Sequence, residues 1–142
     1  MSNKTAVMSF KSKINNYAKT HNISAQAVLQ NYLFERFLER LSISEYQNKF
    51  ILKGGMLISN MVGLAVRTTM DMDITIRNMQ LEEQQILNAL KNISNINLDD
   101  GVSFSDFSFT PIRKDDIYGG YCIKFTAGYF SIITPLSIDI YQ

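Results

Sequence analysis

The chain has 142 residues, 46% of them apolar, and its acidic and basic residues are interspersed to a formal net charge of +1. This composition predicts one globular domain with an ordinary core and excludes a disordered or fibrous chain, while the near-neutral charge gives no global attraction to nucleic acid or membrane. No apolar run approaches the roughly 18 to 20 residues that span a bilayer, and Met1-Ser2-Asn3-Lys4 leads into polar sequence, so a cytoplasmic protein with no membrane partner is expected. The single Cys122 rules out an internal disulfide, and its neighbours Tyr121, Ile123 and Phe125 predict a packing role.

The first predicted element is a helical stretch around Lys11 to Thr20, ended by a break at Asn22 to Ser24 in which Ser24 is the candidate cap. From Ser24 to Leu41 the apolar residues Val28, Leu29, Tyr32, Leu33, Phe37 and Leu41 recur at three and four. Gln30, Glu35, Arg36, Glu39 and Arg40 take the other side, which predicts an amphipathic helix whose charges form a solvated face. The lone His21 has no partner and is expected in a surface loop. Residues 1–45 thus read as a helical N-terminal segment.

After Ser44 the pattern changes. Phe50-Ile51-Leu52 predicts a short strand, Gly54-Gly55 a tight turn, and the apolar residues from Met56 to Val62 a short buried helix. Met70 to Arg77 alternates strictly, with Met70, Met72, Ile74 and Ile76 on one face and Asp71, Asp73, Thr75 and Arg77 on the other, the signature of a strand. Leu81 to Ile93 returns to helical spacing, with Glu82 and Glu83 near its start where the helix dipole favours negative charge, and is expected to cover that strand. Val102 to Phe109 and Tyr121 to Ala127 predict a hairpin around a polar loop that includes Arg113 to Asp116. Leu136 to Tyr141 alternates again after Pro135, which is expected at the strand's edge. An end two residues after a strand that places a carboxylate is expected of a fragment of a longer protein.

On a strand, residues two apart point the same way with Cα atoms about 6.5 to 7 Å apart, so Asp71 and Asp73 present two carboxylates on one face. Such a pair suits Mg²⁺, a hard cation commonly held by one or two carboxylates together with substrate phosphates. Asp139, in the same apolar-Asp-apolar setting, is the candidate third ligand of a site that stabilises the attacking and leaving oxygens of an in-line displacement, and a candidate general base. Gly54 and Gly55 let the backbone approach a triphosphate, and the helix start after them offers unpaired N–H groups to it; Lys53 and Arg67 are the cations nearby. Taken singly, an Asp-x-Asp is often a solvated strand face and a Gly-Gly often a plain turn. Their order along the chain is what points to nucleotide chemistry.

At these residues the chain resembles a known family. The runs Phe50-Ile51-Leu52-Lys53-Gly54-Gly55-Met56-Leu57 and Arg67-Thr68-Thr69-Met70-Asp71-Met72-Asp73-Ile74, with the upstream helix Tyr32 to Leu41, look like the signature of the AbiEii/AbiGii toxins within the DNA polymerase β-like nucleotidyltransferases. The resemblance covers roughly residues 10 to 77 plus Asp139. It implies an α+β nucleotidyltransferase fold over one domain, residues 1–142: a mixed β-sheet with flanking helices, in which 1–45 is helical and 46–142 is the catalytic core. It also implies NTP and Mg²⁺ as ligands, and the role of toxin in a bacterial toxin-antitoxin or abortive phage infection system. Asp71, Asp73 and Asp139 would be the catalytic metal ligands, and Lys53, Gly54, Gly55 and Arg67 the nucleotide-binding residues. The acceptor is then RNA, tRNA included, or protein, and the antitoxin a separate DNA-binding protein. Met56 stands where many polymerase β-like enzymes have Ser, which leaves backbone N–H groups as the main phosphate donors, and the family usually continues into a C-terminal helical part. Two alternatives stay open at this point: a sugar-nucleotide transferase, which also uses a metal-bound Asp-x-Asp, and an inactive nucleotide- or partner-binding module.

Overall fold

The computed structural model describes residues 3–52, 72–112 and 119–141. Among them, three helices and five strands run in the order α1 (Asn3–His21), α2 (Ala25–Ser42), β1 (Phe50–Leu52), β2 (Met72–Ile76), α3 (Glu83–Ser94), β3 (Val102–Ile112), β4 (Gly120–Tyr129) and β5 (Ile132–Tyr141). The strands form one mixed sheet in the order β1-β2-β5-β4-β3, in which β2 and β5 are parallel and the other neighbours antiparallel. This is the α+β architecture expected of a nucleotidyltransferase-like fold. No helix among the described residues is long and apolar enough to cross a membrane.

Helix α1 begins eight residues before the expected stretch and carries His21 in its last turn, where the ring stacks on Tyr17 at 3.8 Å. Asn22, at φ 57°, breaks the chain, and the Ser24 side chain caps α2 by accepting from the Ala27 N–H at 3.1 Å. The predicted apolar stripe of α2 is buried, widened by Phe34 and Leu38, with Tyr32 at its exposed margin. Against it pack Ile86, Ala89, Leu90 and Ile93 of α3 and one face of the sheet, formed by Ile74, Ile123, Phe125, Leu136, Ile138 and Ile140. Removing these side chains from water is the main favourable term for the fold. Among the described residues, helix α3 packs chiefly on β3 and α2, and its Leu90 lines the same small core cavity as Ile74 of β2.

The expected solvated face of α2 is corrected at Arg36 and Arg40. Arg40 is 1% exposed, and its guanidinium donates to both carboxylate oxygens of Asp100 and to the carbonyls of Ile96, Arg36 and Val102. Arg36 donates to Asp100 Oδ2 at 2.8 Å. The planar Arg40 guanidinium also lies over the Phe104 ring, 5.3 Å from its centroid. A long-range carboxylate from the segment after α3 thus turns two helix-surface cations into a buried tie between α2 and the start of β3.

Two irregularities keep the sheet in phase with its core. Between Ser105 and Ser108 β3 carries one residue more than β4, and Asp106 sits there at φ 59°. This bulge lets Phe104, Phe107 and Phe109 all face the core side, with Phe107 stacked on Phe125 at 5.1 Å. Pro135, expected at a strand edge, lies inside β5 opposite Thr126. Among the described residues, 138 to 141 of β5 pair with β2 and β4 pairs with β5 at Pro135, whose carbonyl accepts from Gln30 Nε2 at 2.9 Å.

Candidate active site

The two strands that pair in parallel carry the candidate carboxylates. Met72, Asp73, Ile74 and Thr75 of β2 lie beside Ile138, Asp139, Ile140 and Tyr141 of β5. Ile74, Ile138 and Ile140 are buried in the core, so by alternation positions 73, 75 and 139 belong to the opposite face of the sheet. Neighbouring strands are about 4.8 Å apart, so the backbone brings Asp73 and Asp139 side by side although 66 positions separate them in sequence. Continuing across the sheet, Asp139 is the register partner of Cys122, and Ser137 that of Lys124.

Asp139 is partly buried and makes no hydrogen bond or ion pair among the described residues. A carboxylate in that setting next to a second Asp position is stabilised by a cation, and the groups around it, Thr75 and Ser137, offer further oxygens. The donor chemistry therefore fits a hard divalent ion. Lys53, Gly54, Gly55, Arg67 and Asp71, together with the turn and short helix expected between β1 and β2, lie outside the described residues. Asp73 is placed by its backbone. Among the described residues alone, no group of three or more His, Cys, Asp or Glu side chains could hold a metal.

Two residues of this face were not singled out as functional in the sequence. Cys122, expected in a packing role, is partly buried and lies on the Asp139 face, with its Sγ 3.6 Å from Ser137 Oγ. Lys124 is exposed on the same face, diagonal to Asp139 across β4 and β5, a separation of about 7 to 8 Å between Cα atoms. It is a described cation of this face, one diagonal step from Asp139 in the strand register. The signal was present in the alternation of Cys122, Lys124 and Thr126 against Ile123, Phe125 and Ala127, but it acquires meaning only once β4 is known to flank β5.

A mixed sheet with one face packed under helices and the other presenting register-paired Asp positions defines this chain as an α+β protein of nucleotidyltransferase type. Residues 36–142 match the family described as nucleotidyl transferase AbiEii toxin of type IV toxin-antitoxin systems, and the chain belongs to that family. A comparison with curated proteins found no match. As a nucleotidyl transferase family, it sets aside the sugar-nucleotide alternative, and as a toxin family it implies an antitoxin partner.

Proposed function

We propose that this chain is a Mg²⁺-dependent enzyme that transfers a nucleoside monophosphate from an NTP to an RNA acceptor, tRNA being the RNA that the family resemblance suggests. The observation that carries the proposal is the parallel register of Asp73 with Asp139, which places the second residue of the Asp-x-Asp pair beside the later single Asp. Asp71, Asp73 and Asp139 would hold the metal, which when bound neutralises triphosphate charge and stabilises the entering and leaving oxygens.

Asp139 accepts the proton of the acceptor hydroxyl as that oxygen bonds to the α-phosphorus and the bond to pyrophosphate breaks. Gly54 and Gly55 admit the triphosphate against the backbone, and Lys53 and Arg67 offset its charge. Lys124, on the Asp139 face, supplies a further positive charge toward phosphate oxygens. The partner that silences the toxin is a separate DNA-binding antitoxin, and the reaction takes place in the cytoplasm.

The test is calorimetric titration of each NTP with Mg²⁺ into the wild type, Asp73→Ala and Asp139→Ala, each checked for folding, followed by transfer of labelled nucleotide to RNA. Binding that requires Mg²⁺ and is lost in both variants, with incorporation into RNA by the wild type alone, is the expected result. Folded wild type that neither binds an NTP nor labels RNA would instead be a partner-binding module.

A further inference from the structure

The thirteen Asp and Glu residues of the chain all lie from Glu35 onward, whereas the first 34 residues contain Lys4, Lys11, Lys13 and Lys19 and no carboxylate. Nearly all of that segment is α1 and the first turns of α2. Helix α1 turns Phe10, Ile14 and Ala18 inward; Ala18 is 6% exposed, and the Phe10 ring sits 5.2 Å from Tyr32 and 4.3 Å from Tyr129. All four lysines are exposed, and none forms an ion pair among the described residues. At 100° per residue Lys4, Lys11 and Lys19 fall on one flank, a row about 22 Å long that also carries Asn15 and the exposed Met8.

An ordinary solvated helix face mixes charges of both signs. On α2 the cations Arg36 and Arg40 are committed to Asp100, but among the described residues the α1 lysines pair with no acid. Helix α1 also lies before the part of the chain matched to the family, residues 36–142.

We propose that the outward face of α1 is a docking surface for the phosphate backbone of the acceptor RNA, an inference that rests on the reading of RNA as acceptor. Lysine with Ser, Thr and Asn is the side-chain set that contacts phosphate and sugar, whereas protein interfaces are depleted in lysine. An interfacial membrane helix buries its apolar face in lipid, and that face of α1 is already used against α2 and Tyr129. Phe10 meets Tyr129 on the helix-packed face at the end of β4, beside Ile132 and seven residues along β5 from Asp139, so the anchored part of α1 is about 23 Å along the strand from the carboxylate positions and on the other side of the sheet from them. A ligand that touches both sites is a polymer, not a nucleoside or a single side chain.

The full chain and a Lys4→Gln/Lys11→Gln/Lys19→Gln variant are titrated against a fluorescein-labelled RNA hairpin with a single-stranded 3′ end, over a range of salt, by anisotropy. The variant is expected to bind at least about 10-fold more weakly, and its slope of log K against log salt to be smaller by about 2, the value for three lost phosphate contacts on a single strand. Lys91→Gln, an exposed lysine of α3 away from both sites, is expected to bind the hairpin as the wild type does. Equal RNA binding by the triple variant overturns the proposal, as does displacement of the hairpin by polyglutamate or phosphatidylserine vesicles at matched charge. Lysine-dependent RNA binding without nucleotide transfer by the wild type would keep the docking surface and overturn the catalytic reading instead.

Discussion

Arg40 meets Asp100 end on, Nη2 to Oδ1 at 2.8 Å and Nη1 to Oδ2 at 3.1 Å, with the Arg40 side chain 2% and the Asp100 side chain 14% exposed. A charge pair taken out of water is tolerated because every remaining donor is satisfied, and the carbonyls of Ile96, Arg36 and Val102 complete the set here. Removing one partner leaves the other charge buried and unmatched. Asp100→Ala is therefore expected to cost about 3 to 5 kcal/mol in urea unfolding, and Arg40→Met combined with Asp100→Ala to recover part of that loss. A double variant no more stable than Asp100→Ala would show that the pair's carbonyl bonds, not its charge balance, hold α2 to β3.

The same pair sets a pH dependence. Burial pushes the Asp100 carboxyl up, but hydrogen bonds from Arg40, Arg36 and the Val102 N–H outweigh it and hold the group well below the usual carboxylate range. The unfolded chain, with an ordinary value near 3.9, thus binds this proton at higher pH than the folded one. The resulting stability is complete above about pH 5 and is lost as pH falls below 4. Thermal melts between pH 6 and 3 should show a steeper loss for the wild type than for Asp100→Asn, and parallel curves would remove Asp100 as the cause.

At the candidate site, Asp139→Asn keeps the shape of the side chain and removes its charge and its basicity. Nucleotide transfer is expected to fall by about 100-fold or more, while stability stays within about 0.5 kcal/mol or rises, since a like-charge neighbour is relieved. A variant that transfers at the wild-type rate would remove Asp139 from the reaction.

Lys124 carries a different expectation. Lys124→Ala should raise KM for the NTP by about 10-fold with a smaller change in kcat, and Lys124→Arg should restore part of it, because a long flexible cation serves phosphate mainly as a charge. Unchanged steady-state kinetics in the alanine variant would make Lys124 a surface residue of the open face.

The bulge of β3 can be tested without reference to activity. Asp106 occupies the left-handed region, which glycine enters freely and a β-branched residue does not. Asp106→Gly should leave stability equal or higher, and Asp106→Val should cost about 1 to 3 kcal/mol in chemical unfolding. If valine is accepted without loss, the bulge is not what sets the register of Phe107 and Phe109.

Much of this was legible in the chain itself. The three-and-four spacing of Val28, Leu29, Leu33 and Phe37 predicts the buried stripe of α2, and Ser24 its cap, because both depend on contacts within a few residues. The alternation around Ile74 and around Ile138 separates core positions from Asp73 and Asp139, because successive side chains of a strand point to opposite faces whatever lies beside it. What periodicity does not carry is which strand lies next to which. The parallel pairing of Asp73 with Asp139, the place of Cys122 and Lys124 on the same face, and the burial of Arg40 by Asp100 all join segments about fifteen to sixty-six residues apart. Local pattern determined the face on which each carboxylate stands; only the closing of the sheet, driven by a core shared among distant elements, decided that two of those carboxylate positions are neighbours and that an arginine on a helix surface is inside.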